Sequence, residues 1–335
     1  MQLRTWLTGL VIATQALAAQ VGWSQIDIPG TPPDAPNTIV ALYYPTQAAA
    51  TRVVMGPLVL NVARRAEPEP SVKGLIMISH GLGGSEIGHS RLAEALARQG
   101  YLVAALRHPG DNWQDGSLLE KTPERYFYVR PRQVSHVIDA LLADPEWKDR
   151  IARGARGARG PRIGAVGHSA GGYTVLALAG GEPDLARLAR HCQDEGVQDP
   201  IFCRMGRSVQ RPAPPDQAPL KDTRVQAVVA MAPVGAVFSA ESLGRIQVPT
   251  AIYEAELDRF LVPRFHAEWI AKNMPKAALH RVPNAWHFAF LDTPTLPIPS
   301  PDGDIGADPP GFDRAAFLAK LGGELVAFFD KAFQD

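Results

Sequence analysis

The residues best suited to nucleophilic chemistry in this 335-residue chain are Gly167-His168-Ser169-Ala170-Gly171, which read G-x-S-x-G. The apolar run Ile163-Gly164-Ala165-Val166 precedes them. Gly172 to Ala179 follows, with helix-compatible composition and a Gly180-Gly181 stop. A strand, a sharp turn and a helix form the context in which such a serine stands clear of both elements. Small residues two positions to either side let strand and helix pass closely. The helix N-terminus then offers backbone N–H groups to developing negative charge. The bare pattern is a common string, and its flanking elements give it weight.

A serine hydroxyl is a poor nucleophile until a base takes its proton, and the usual base is a histidine oriented by a carboxylate. His287 lies in Pro283-Asn284-Ala285-Trp286-His287-Phe288, just beyond the last expected strand. His280 falls inside that strand and His266 in an expected helix. A loop histidine can swing over a serine and a strand histidine cannot, so His287 is favoured. For the acid, Glu254-Ala255-Glu256-Leu257-Asp258 follows another strand. Asp258, in the loop before Val262-Pro263, is the first choice and Glu256 the reserve. The order serine, acid, histidine along the chain is one that such triads adopt. The oxyanion needs two donors. Ala170 N–H, directly after the serine, is one. Leu82 N–H, in the glycine-bearing loop His80-Gly81-Leu82-Gly83-Gly84, is the other. A dinucleotide-binding turn at this loop fails because Glu86 stands where a third glycine is required. His80, His168, Asp111 and Trp286 are candidates for the substrate pocket.

These residues need a frame. Thr38–Tyr44 and Leu58–Ala63 read as strands. Gly74–Ser79 reads as a strand apolar on both faces, as in a sheet covered by helices on each side. A helix over His89–Gln99, a strand over Tyr101–Leu106 and a helix over Pro131–Leu142 follow. Beyond the serine, strands are expected at Val225–Met231, Thr250–Tyr253 and Ala278–Val282, and Phe317–Phe333 closes the chain as an amphipathic helix. Alternation of this kind implies an α/β, doubly wound, mostly parallel sheet. Gln20–Asn37 and the proline-rich Asp292–Gly311 read as irregular. The stretch of about 181–224, with Arg211-Pro212-Ala213-Pro214-Pro215, is too long for a plain connection and reads as an inserted cap or lid.

Composition narrows the function classes. Lys plus Arg equals Asp plus Glu at 34 each, which gives no electrostatic reason to expect nucleic acid or an acidic membrane surface. The first residues resemble an export signal: Arg4, the apolar Trp6–Ala13 and the small-residue site Ala16-Leu17-Ala18. Residues 1–19 are therefore expected to be removed, leaving one domain over 20–335 in the periplasm or outside the cell, without stable membrane insertion. In such a protein the two cysteines, Cys192 and Cys203, are expected to form a disulfide. His191 alone does not complete a metal site beside them, and none is expected.

Taken in order, Ser79-His80-Gly81-Leu82-Gly83-Gly84, Arg107-His108-Pro109-Gly110-Asp111, Gly167-His168-Ser169-Ala170-Gly171-Gly172-Tyr173, Glu256-Leu257-Asp258 and His287-Phe288 resemble the α/β-hydrolases of the bacterial "predicted dienelactone hydrolase" type, relatives of the platelet-activating-factor acetylhydrolases. The resemblance spans nearly the whole chain after the leader. It implies Ser169 as nucleophile, His287 as base, and Leu82 and Ala170 as oxyanion donors, with no cofactor. Two departures stand out. True dienelactone hydrolases use a cysteine where this chain has Ser169. The plasma acetylhydrolases carry their acid after the strand that follows the nucleophile, and Ala230-Met231-Ala232-Pro233 has no carboxylate there. The expected activity is hydrolysis of a small-molecule or polymeric carboxylic ester. An amidase or peptidase with the same triad is the alternative, and a non-catalytic binding protein on this fold a third reading.

Overall fold

The computed structural model describes residues 19–31, 35–154, 160–206 and 219–334. The expected export signal, but for Ala19, and the Arg211–Pro215 run lie outside the described residues.

The described residues contain a ten-stranded sheet. Its strands are β1 (Gln20–Ile28), β2 (Thr38–Thr46), β3 (Thr51–Met55), β4 (Leu58–Arg64), β5 (Leu75–Ser79), β6 (Leu102–Arg107), β7 (Ile163–His168), β8 (Val225–Met231), β9 (Thr250–Ala255) and β10 (Ala278–Val282). Their order is β10-β9-β8-β7-β5-β6-β2-β1-β4-β3. From β10 to β6 every neighbouring pair is parallel, and β2 is antiparallel to both β6 and β1. The helices are α1 (Ser90–Arg98), α2 (Ser117–Lys121), α3 (Tyr126–Ala143), α4 (Ala170–Leu178), α5 (Leu185–Asp194), α6 (Pro200–Gly206), α7 (Ala240–Gly244), α8 (Ala267–Asn273) and α9 (Arg314–Ala332).

Side chains alternate along a strand, so a strand buried on both faces feeds two cores. In β5, Leu75 and Met77 join the core beneath α3, α4 and α8, while Ile76 and Ile78 join the core beneath α1 and α9. The second core is closed by Leu318, Leu321, Leu325 and Phe329 of α9, all buried. Each contributes about 1.5–3 kcal/mol by leaving water. Close approach is built in at two glycines. A Cβ on Gly164 would lie 2.4 Å from the Phe329 ring, and one on Gly322 would lie 2.8 Å from Ala95 Cβ, so α9 sits tight on both β7 and α1. α9 begins with Asp313 capping Ala316 N–H.

Several boundaries differ from the sequence reading. Gln20–Ile28 is a strand, paired over nine residues with β2; the prolines that suggest irregularity start only at Pro29. β3 is mostly exposed and carries no burial pattern of its own, forming instead as a hairpin on β4. α3 starts at Tyr126, five residues before Pro131, so Pro131 is inside the helix and not at its start. A proline there leaves the carbonyl of residue i−4 without its helical donor. That carbonyl belongs to Phe127, and Tyr173 Oη donates to it at 2.8 Å. The compensation comes from α4 and is invisible locally. The stretch expected to be a cap contains α5, opened by Asp184 capping Arg187 N–H, and α6, with the disulfide Cys192–Cys203 joining them. Among the described residues no helix is long and apolar enough to cross a membrane.

Candidate active site

The site collects at the carboxyl ends of β5, β7, β9 and β10, where ligands of open α/β sheets bind. Ser169 sits between β7 and α4 with φ 57° and ψ −116°. That left-handed conformation is costly for a residue with a side chain. It is held by hydrogen bonds from all sides. Ser169 N donates to Met231 O at 2.9 Å, and Ser169 O accepts from Tyr173 N and Val234 N at 3.1 Å each. Glycines make room for it. A Cβ on Gly167 would lie 2.0 Å from Gly171 O, and one on Gly171 would lie 1.9 Å from Ser79 O.

Asp258 follows β9 and His287 follows β10. His287 Nδ1 and Asp258 Oδ2 are 2.7 Å apart, both side chains buried. The other carboxylate oxygen accepts the Phe260 and Leu261 N–H groups at 2.8 Å each, which fixes the acid in its turn. Phe260 stacks on the His287 ring at 4.8 Å and 12°. Glu256, the reserve acid, accepts from Asn284 N at an exposed position and does not reach His287. His280 stacks on Tyr253 in the β10 edge. His266 stands just before α8, and its ring belongs to a different cluster.

Ser169, His287, His168, His80 and Leu82 line one cavity of about 640 Å³, whose far walls come from Met55 and Pro57 of the β3–β4 hairpin, Trp113, Leu291 and Ile305. A second apolar cavity of about 50 Å³ meets the first at Ser169, Leu82 and Phe260. It is walled by Phe127, Val234 and, from α6, Phe202 and Met205; His287 is not part of it. Leu82, 39% exposed, faces both spaces. A wider groove of about 1060 Å³ past Lys121, Arg132 and Asp139 includes none of these residues.

The remaining pocket candidates divide. His80 and His168 line the larger cavity; Asp111 and Trp286 do not. Trp286 stacks under the Arg259 guanidinium at 4.6 Å. Asp111 is buried behind the 80–84 loop, paired with Arg130. Two of these candidates, His80 and His168, have their pKa lowered by burial. Burial, and then the Arg130 guanidinium, push His80 down to about 3. Its Nδ1 donates to Gly81 O at 2.6 Å, leaving Nε2 to accept from His108 N at 3.2 Å. Burial, then His287, push His168 well below the usual histidine range. Its Nε2 donates to the His287 carbonyl at 2.9 Å, so the residue before the serine anchors the backbone of the proposed base.

Elsewhere, His191, Asp199 and His266 bring their ligand atoms within 4.8 Å of one another. Both rings share one carboxylate oxygen, with His191 Nε2 at 2.8 Å and His266 Nε2 at 2.9 Å from Asp199 Oδ2. His266 Nδ1 accepts from Gly235 N at 3.0 Å. Its proton is therefore on Nε2, and a metal there would require an imidazolate. The cluster is a hydrogen-bonded pin between α5–α6 and the sheet domain. The neighbouring cysteines are committed to their disulfide.

The sequence matches no protein-family model and no curated protein. Among solved structures the chain is similar to a ferulic acid esterase from Streptomyces cinnamoneus, at 22% identity and a TM-score of 0.60, over 96% of this chain and 92% of that one. At this identity the likeness is one of fold. With the strand order and the turn at Ser169, it establishes the α/β-hydrolase fold.

Proposed function

We propose that this protein is an exported serine hydrolase of carboxylic esters, acting through Ser169, His287 and Asp258. The observation that carries the reading is the convergence of a serine in a strained turn and a carboxylate-held histidine on one cavity. Ser169 Oγ attacks the ester carbonyl while His287 Nε2 takes its proton. Asp258 fixes the His287 tautomer through Nδ1–H and stabilises the imidazolium. Leu82 N–H and Ala170 N–H receive the oxyanion. His287 then returns the proton to the leaving alkoxide oxygen and an acyl-serine remains. Water, deprotonated by the same histidine, attacks the acyl carbon, and the carboxylic acid leaves as Ser169 recovers its proton.

The two cavities suggest how a substrate lies. The group that protonates the leaving alcohol must be next to it, and His287 lines the larger cavity but not the smaller one. The alcohol part thus occupies the larger, mostly apolar space, and the acyl part the small space against Phe127 and Phe202. An ester so divided is favoured over a peptide, whose chain would continue on both sides. The motifs keep the predicted dienelactone hydrolase and acetylhydrolase type as the family we favour, with Ser169 in place of cysteine. The N-terminal leader pattern and the disulfide support export, and 181–224 supplies the cap of a single domain over 20–335.

Intact-mass analysis after fluorophosphonate treatment, with peptide mapping, tests this directly. One adduct on Ser169 is expected, and Ser169→Ala should lose both the adduct and ester turnover by a factor of about 10⁴ or more while melting like the wild type. Wild-type-like turnover in that variant would sink the mechanism.

A further inference from the structure

The motif Arg107-His108-Pro109-Gly110-Asp111 has no part in the mechanism above, yet its last residue carries a fully buried charge. Asp111 is 1% exposed and Arg130, its ion-pair partner, is 0% exposed. Two charges taken out of water stabilise a fold no better than well-packed apolar residues of the same size, and often worse. A pair in this position needs another account, and its remaining contacts supply one.

Apart from the Tyr126 hydroxyl and Ser79 Oγ at 3.3 Å from Arg130 Nη2, the side-chain polar contacts of the pair run to the 80–83 loop and α4. Asp111 Oδ1 accepts from Gly83 N at 2.8 Å. Asp111 Oδ2 accepts from Tyr126 Oη at 2.6 Å and from Arg130 Nη1. Arg130 Nη2 donates to the His80 carbonyl, and Arg130 Nε to Thr174 Oγ1 of α4 at 3.2 Å. Residues 80 and 83 are thus gripped by one rigid ion pair, and Leu82 lies between them. The same loop is tied a second time. Arg107 holds Glu86 through Nε at 2.7 Å, Trp113 N donates to Gly84 O at 3.1 Å, and His108 N donates to His80 Nε2. Gly83 itself has φ 65°, a conformation that needs external support or glycine, and here has both.

We infer that Asp111 and Arg130 are positioning residues for the oxyanion hole: the pair fixes the 80–83 backbone relative to α4, and thereby sets Leu82 N–H against Ala170 N–H at the spacing an oxyanion requires. The inference rests on the Ser169 reading above. A preorganised donor acts on the transition state and hardly at all on the ground state. Loosening it should therefore lower kcat and leave KM nearly alone. A side chain that merely fills the core would show neither split.

The test compares wild type, Asp111→Asn, Arg130→Lys and Tyr126→Phe with p-nitrophenyl acetate. Inhibition by phenylboronic acid, whose tetrahedral adduct on the serine places an oxygen where the oxyanion forms, provides a second readout. Asp111→Asn should lower kcat by about 10- to 100-fold with KM within about twofold, and weaken boronate binding by a similar factor. Arg130→Lys, which keeps the charge and loses the fork, should fall between it and wild type. Tyr126→Phe removes one hydroxyl and keeps the ion pair, and should cost about threefold in both readouts. Should Asp111→Asn not fold, Tyr126→Phe decides. Unchanged kcat and boronate affinity in a folded variant, or a loss confined to KM, overturns the inference. A wild-type protein that neither turns over ester nor takes up fluorophosphonate overturns the underlying reading instead.

Discussion

Among the described residues, two buried carboxylates hold histidine rings at nearly the same distance, and on the reading proposed above only one of them serves chemistry. Asp258 meets His287 at 2.7 Å; Asp199 meets His191 and His266 at 2.8 and 2.9 Å. The difference is in what each pairing leaves over. Asp258 binds Nδ1, so Nε2 belongs to a ring lining the cavity with Ser169. Asp199 binds Nε2 of His266, whose Nδ1 is already occupied by the Gly235 N–H. One ring has a nitrogen to offer a substrate, and the other is used up in joining α5–α6 to the sheet domain. A short His–Asp distance is therefore no sign of catalysis by itself.

This contrast can be broken by exchanging the effects of equivalent substitutions. Asp258→Asn leaves the two backbone bonds to Oδ1 available but favours the wrong His287 tautomer. Ester turnover should fall by about 10⁴, with little change in melting. Asp199→Asn should do the reverse, with kcat within about threefold and a loss of about 2–4 kcal/mol in urea unfolding, because two buried imidazoles lose a charged partner. Equal catalytic losses from both would erase the distinction. Reducing the Cys192–Cys203 disulfide, which closes a loop with a sequence separation of 11 beside the pin, should cost about 2–3 kcal/mol and loosen the small cavity's α6 wall before the site itself. Protection of the α5–α6 amides against hydrogen exchange reads this out.

Acid should sharpen the comparison further. Although burial opposes it, hydrogen bonds from His191 and His266 hold Asp199 down at about 2. A depressed carboxylate contributes stability above its unfolded pKa and loses it only as pH falls towards 2. Around the site, burial holds His89 at about 4 and His80 at about 3. Below pH 6.5 the unfolded chain binds protons these rings refuse, so stability falls from 6.5 towards 3–4. His89→Gln should flatten the stability–pH slope between 6.5 and 4 by about one proton, so that from pH 7 to pH 4 it loses about 2–3 kcal/mol less than the wild type. An unchanged slope would remove His89 from the account.

The turn at Ser169, the loop positions of Asp258 and His287 after β9 and β10, and the central strands are legible in the sequence because each is local. A turn needs its glycines within a few positions, and a buried parallel strand is a short apolar run. What escaped is long-range. Tyr173 relieving Pro131 at Phe127, Arg130 reaching the 80–83 loop, and His266 closing on Asp199 all join residues more than 40 positions apart. Asp111 drew attention through its motif, but its burial and its partner had no local signature. The missed β1 shows the opposite failure, in which neighbouring prolines colour a nine-residue strand they do not enter.

The crowding under Ser169 bears on how such a protein can change over generations. Side chains at Gly167 and Gly171 would strike backbone atoms at about 2 Å, so a lineage that alters them must displace the backbone around the turn. The serine side chain carries no such structural burden. On the reading proposed above, a descendant that abandoned turnover could drift at Ser169 while selection for folding alone kept the glycines in place. In sequences descended from this one, intact glycines would report a surviving scaffold, and on that reading the serine between them would report a surviving trade.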